Sequence, residues 1–200
     1  MAVWYITSVP GSEPFSVSEM KNYLKIESSI TDDDTLIGQL IQDARFFVER
    51  ATQRALITQT ITEFLDTWPL ADDKEPRVIV PSVAPVRAIT SVKYVAEGGT
   101  PASYTTWALT NYTSDLISGK NNYGGARIVK NPDVDWPTLA NYKNAIEIVY
   151  PAGYGTSAEI PGGLRQAIRR LVSIWYHHRT TFQDDYDHVK KLIEPYKVFK

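Results

Sequence analysis

The sequence predicts an α+β fold, and three observations carry that prediction. Two amphipathic helical segments stand near the N-terminus, a block of short β-branched runs follows, and a second helical block comes after it. This order suits a helical core built by the front and back blocks, with a small antiparallel β region inserted between them. The expected boundaries are helix over 16–55 and 161–194, β structure over about 56–150 and a tail at 195–200, all within a single domain.

The first helix is expected from about Val17 to Lys25, because "SVSE" is a capping box in which Ser16 and Glu19 each satisfy a backbone amide of the other. In "TDDDTLIGQLIQDARFFVERATQRAL" the residues Leu36, Ile37, Leu40, Ile41, Ala44, Phe47, Val48 and Ala51 recur at the helical period, with Thr31 or Asp32 as the expected cap. Between Leu56 and Tyr150, runs such as "RVIVP", "AITSVKYVAE", "ARIVK" and "AIEIVY" predict five or six strands, with turns at "EGGT" (97–100) and "NNYGGA" (121–126). In the back helix, Leu164, Ala167, Ile168, Leu171, Val172, Ile174 and Trp175 lie opposite Arg165, Arg169, Arg170, Ser173 and His177. A short last helix stops near Pro195. Neither long apolar stripe can stay in water. Leu40, Ala44, Phe47 and Val48 are therefore expected to pack on Leu164, Ile168, Leu171 and Trp175, and a fully buried Phe47 would lose about 3–5 kcal/mol on truncation to Ala.

Composition excludes several function classes. Two hundred residues with 43% hydrophobic content make a globular chain, large enough for one domain with a real core or two very small ones. No apolar run approaches the roughly 20 residues of a membrane span, and "MAVWYITSVPGSEPFS" lacks the pattern of a secretory signal. The absence of cysteine removes disulfides, thiolate metal sites and cysteine nucleophiles together. Net charge is −2, unevenly spread: residues 1–100 carry nine Lys/Arg against fourteen Asp/Glu, and residues 101–200 carry twelve against nine. Such polarity suits a protein whose two ends meet different neighbours as well as it suits a nucleic-acid face.

The stretch "VYPAGYGTSAEIPGGLRQAIRR" passes from strand through glycines to helix, the order of many phosphate sites, but it lacks the spacing of either a P-loop or a dinucleotide loop. Gly153 and Gly155 permit a sharp exit from the strand, and Pro161 pre-sets the first helical turn, so the segment reads as a structural corner. Adjacent His177 and His178 cannot serve one metal from one helix face. Asp32–Asp34, and Asp184 and Asp185 near His188, are acids at helix starts, which the helix dipole explains without a cation. No nucleophile elbow is present. Nothing here calls for catalysis, a metal or a cofactor. A nucleic-acid-binding module using the basic C-terminal helix, or a carbohydrate-active protein using the Trp and Tyr content, are the readings that compete from composition.

The order of segments is itself informative. "PFSVSEMKNYLKIE…TDDDTLIGQLIQDARFFVERATQRALITQT", "PVRAITSVKYVAEGG", the isolated Trp136–Pro137, "IVYPAGYG…IPGGLRQAIRRLVSIWYHHR" and "LIEPYKVFK" together resemble the head-to-tail connector (adaptor) proteins of long-tailed bacteriophages and phage-like gene transfer particles. The similarity runs through nearly the whole chain and is poor in register over "SYTTWALTNYTSDLISGKNNYGG". It implies a non-enzymatic virion protein, a twelvefold ring at the neck between the portal and a stopper or tail completion protein, assembled in the bacterial cytoplasm. Double-stranded DNA would pass through its channel without sequence-specific binding, and no membrane would be involved. The tail alternates Tyr196 and Val198 with Lys197 and Phe199, which suits an extended strand added to a neighbour's edge. By the resemblance that neighbour is the portal, the alternative being a tail that packs back on its own protomer.

Overall fold

The computed structural model describes residues 3–69, 78–101, 103–116, 126–177 and 183–198. The chain is α+β and divides into two compact units, one of Met1–Val9 with Gln59–Gly153, the other of Pro10–Thr58 with Tyr154–Lys200. The predicted turn residues 121–125, together with His178, Arg179, Phe182 and Phe199, lie outside the described residues.

In the helical unit, α1 (Val17–Leu24) starts on the predicted capping box and ends at Lys25, whose left-handed backbone (φ 63°) closes it. α2 spans Asp34–Thr52 and α3 spans Gly162–His177; α4 (Gln183–Ile193) runs into a short 3-10 turn at Glu194–Tyr196. The cap of α2 differs from expectation. Asp33 holds the N-cap position without a side-chain capping bond, because its Oδ2 accepts from the Tyr176 hydroxyl at 2.6 Å. The ammonium of Lys21, only 4% exposed, donates to the carbonyls of Ser28 and Ile30 and pairs with Asp34, which fixes the α1–α2 connection. Arg45 joins Glu13 through two bonds and Glu49 through one, and Glu49 in turn accepts from the Leu56 amide beyond the end of α2. Burial alone would lower the Arg45 pKa, but those two carboxylates outweigh it and raise it.

The other unit holds two antiparallel sheets. Its strands are β1 (Val3–Ser8), β2 (Gln59–Leu65), β3 (Val78–Ile79), β4 (Ser91–Val95), β5 (Tyr104–Trp107), β6 (Tyr112–Asp115), β7 (Arg127–Lys130) and β8 (Ile146–Ala152). They are ordered β1-β2-β8-β4-β5 and β3-β7-β6. Seven strands among the described residues therefore stand where five or six were expected, and β1 was not foreseen. "EGGT" does turn: Gly98 has φ +76° and Gly99 donates to Ala96 at 2.8 Å. On the inner face of the larger sheet, Ile61 sits opposite Tyr150 and Glu63 opposite Ile148. The other face carries Val3, Tyr5, Phe64 and Tyr104, with Tyr5 stacked on Phe64 at 5.9 Å.

Two features pin this unit internally. The Glu63 carboxylate, 1% exposed, accepts from the Ser82 amide (2.8 Å), the Ser82 hydroxyl (2.6 Å) and the Tyr150 hydroxyl (2.7 Å). Tyr150 accepts in turn from the Val83 amide, and burial beside Glu63 pushes its phenol pKa far up. Elsewhere Trp68, Trp107 and Trp136 lie mutually within 5.4 Å of one another by ring centroid, and Trp107 on β5 stacks on Tyr112 of β6, linking the two sheets. Tyr150→Phe strands part of a buried carboxylate and one amide, so a loss of about 1–3 kcal/mol is expected in urea unfolding. An unchanged midpoint would mean that Glu63 finds water there instead.

Candidate functional site

The sequence singled out a glycine corner, a helix-packing face and the tail. At the corner, Gly153 (φ 134°) and Gly155 (φ 124°) occupy backbone conformations that a Cβ disfavours, and the chain passes from one unit to the other between Gly153 and Tyr154. Gly153 donates to Pro85, and the amides of Tyr154 and Thr58 bond to Leu56 and Gly155 respectively. Next to these backbone bonds, the Thr156 amide and hydroxyl donate to the Glu159 carboxylate, which caps a short 3-10 turn. Pro161 stands one residue before α3, and its carbonyl accepts the first helical bond, from Arg165.

On the packing face, Ala44, Val48, Leu164, Ile168 and Leu171 are fully buried. Leu40, Phe47 and Trp175 are half-buried at its margin. Phe47 meets Trp175 edge-on at 6.3 Å and Tyr186 at 6.0 Å, and the Trp175 Nε1 donates to the Tyr186 hydroxyl. Beside them Phe46 is 52% exposed with Arg50 over its ring, so a shallow apolar groove opens there between Asp43, Phe47 and Trp175. It holds no acid–base pair.

The tail runs across its own unit. The guanidinium of Arg54, 2% exposed, donates from Nε to the Tyr196 carbonyl, and the Val198 amide donates to Thr52. Burial pushes the pKa of the neighbouring Tyr154 up, against the pull of Arg54. Tyr196 belongs to the 3-10 turn, so the extended conformation begins only at Lys197, whose ammonium pairs with Glu194 at 3.1 Å. Tyr196, Lys197 and Val198 nonetheless keep half-exposed side chains. A Cβ on Gly163 would come within 2.9 Å of the Tyr196 ring and hydroxyl, so glycine there is what lets the ring lie on α3. Sequence reasoning did not find Arg54. Its signal was an arginine directly after a helix end, which looks like any solvated charge.

Among the described residues no three His, Cys, Asp or Glu side chains come together as a metal site, and no helix is long and apolar enough to cross a membrane. His177 and His188 are exposed.

The arrangement defines a two-part α+β protein whose distinctive surfaces are apolar and ionic patches. Comparison with solved structures places it more closely. Its fold matches a chain from the neck of an empty GTA particle computed with C6 symmetry, at TM-score 0.76 and 19% identity over 99% of this chain and 96% of that one. It also matches a chain in the virion of a native gene transfer agent (GTA) particle, at 0.74 and 19% with the same coverage. A chain from the neck of a native GTA particle computed with C12 symmetry gives 0.69 and 20%, over 98% of this chain and 96% of that one. No family model and no curated protein matches the chain.

Two substitutions probe the site. With Phe47 only half-buried, Phe47→Ala is expected to cost about 2 kcal/mol rather than the full-burial figure, measured by chemical unfolding. Gly163→Ala in a helix ordinarily gains about 0.5–1 kcal/mol. Here it should gain nothing and should speed hydrogen exchange at the Val198 amide, since the Tyr196 ring must move; a stabilised variant with Val198 still protected would contradict this packing.

Proposed function

We propose that this chain is a structural subunit of the neck of a phage-like particle, a head-to-tail connector that repeats around a ring. The observation that carries the reading is the likeness of the whole fold: it spans 99% of this chain and 96% of a chain from a particle neck. Those neck structures were computed with C6 and C12 symmetry, which supports a homo-oligomeric ring, twelvefold in this reading. The other partners follow from the sequence resemblance. They are the portal above, a stopper or tail completion protein below, and double-stranded DNA passing through the channel without sequence-specific contact. The place of action is the virion neck, after assembly in the host cytoplasm, and the role needs neither catalysis nor cofactor.

The tail is the proposed portal contact. Its main chain is engaged by Arg54 and Thr52, so the half-exposed side chains of Tyr196, Lys197 and Val198, continued by Phe199, are what a portal would meet. Electron microscopy of particles from the producing cell should find this chain in a ring at the neck; particles whose neck contains a different protein in that place end the reading. In the same system, Lys197→Glu with Val198→Asp should leave the chain folded and its ring unattached to portal-bearing heads. Normal attachment would move the portal contact elsewhere on the subunit.

A further inference from the structure

Phe15 is buried, at 3% exposure, yet its ring lies against two cations. The guanidinium carbons of Arg165 and Arg169 stand 5.0 and 4.7 Å from its centroid, and Arg169 is also 5.9 Å from the ring of Tyr23. The two arginines are one turn apart on α3, a spacing at which like charges repel. Among the described residues neither has a carboxylate within ion-pair distance, and the Arg165 Nε is buried with no hydrogen-bond partner. Glu19 senses both, but its carboxylate is held down chiefly by the Ser16 amide and hydroxyl and is occupied in that cap.

Guanidinium groups held over aromatic rings have fewer conformations to lose when their N–H forks meet a planar anion. Arginine backed by Phe and Tyr is also the composition of protein–protein hot spots, which sit in partly desolvated surroundings. A chain of net charge −2 has carboxylates to spare for another copy of itself and little general attraction for nucleic acid. Two of those carboxylates match the pair in number. Asp133 and Asp135 are exposed, two residues apart, and have no ion-pair partner among the described residues. Their loop is fixed: Val134 donates to Asn131, and the buried ammonium of Lys130 donates to the Val134 carbonyl.

We propose that Arg165 and Arg169 form the cationic half of a contact between neighbouring copies of this chain, with Asp133 and Asp135 of the second copy as the anionic half. The surfaces differ, so the contact is heterologous and repeats from copy to copy, as a closed ring requires; here the proposal rests on the ring reading above.

The test is sedimentation of the full-length chain across concentration, at low and high salt. Wild type should self-associate, more weakly as salt rises. R165E/R169E and, separately, D133R/D135R should each weaken association at least about tenfold, or about 1.4 kcal/mol. The acidic pair is exposed, so its effect reports contact rather than folding, and circular dichroism checks this. Combining R165E/R169E with D133R/D135R should restore much of the loss. The proposal is overturned by a wild-type chain that stays monomeric throughout, by either reversal leaving association unchanged, or by a swapped chain as dissociated as its halves. It also falls if R165E/R169E abolishes retention of duplex DNA while self-association stays intact. None of these outcomes touches the neck reading, which images of particles decide.

Discussion

The helical unit depends on one constraint: α2 and α3 each carry an apolar face that water cannot solvate cheaply. Ile37, Ile41, Ala44 and Val48 on one, and Leu164, Ala167, Ile168, Leu171 and Val172 on the other, are at most 1% exposed. At roughly 1.5–3 kcal/mol for each large side chain buried, this pairing outweighs any single polar contact in the unit. The polar devices then have a narrower task, which is to fix how the connections leave the helices. Lys21 holds the α1–α2 connection, the Arg45–Glu13–Glu49 group holds the segments before α1 and after α2, and Arg54 holds the tail. Each is a charge satisfied largely by backbone carbonyls or a matched carboxylate.

The sheet unit solves the same problem with fewer aliphatic residues. Its larger sheet has one face closed by Ile61, Ile146, Ile148 and Tyr150, but Glu63 stands among them. A lone buried carboxylate is costly. Three donors, two of them from Ser82, offset that cost and at the same time bind the 82–83 segment to the sheet. The Trp68–Trp107–Trp136 cluster does for the sheet–sheet junction what Glu63 does for the loop, since large rings cover the ends of short strands that cannot cover themselves. An aromatic-rich interior of this kind, closed by a buried carboxylate network, favours rigidity.

How far this was legible in the sequence can be judged from particular residues. The capping box at Ser16–Glu19 and the stripes of α2 and α3 were readable because both are local patterns with a fixed period. Leu36 shows the limit of the period: it fits the stripe, yet among the described residues it is 45% exposed, while Ile37 beside it is fully buried. The cap of α2 was misassigned for a non-local reason, a tyrosine 143 residues away that claims the Asp33 carboxylate. β1 was missed although "VWYITS" is rich in strand-forming residues, since a lone run next to a turn gives no hint of the partner strand 55 residues on. Tyr196 and Val198 were legible as apolar residues at a helix stop. What holds them, Arg54 and the bare face at Gly163, was not, because both are matters of distance in space.

A contrast between paired and unpaired charges bears on the proposed ring. Lys93–Glu147 and Lys143–Asp66 are satisfied within the chain and need no neighbour. Arg165 and Arg169 lie over an aromatic ring yet have no ion-pair partner among the described residues, and among those residues Asp133 and Asp135 likewise have none. Isolated charges in water cost nothing, so exposed aspartates alone would mean little. A repelling arginine pair over a buried ring is different, because part of its hydration is already gone and an anion would offset both losses. If the proposed ring passes DNA, that anion meets a constraint of its own. Arginines facing the duplex would grip every passing phosphate and resist its movement, whereas arginines paired with the next copy would hold the ring together and leave DNA free to slide.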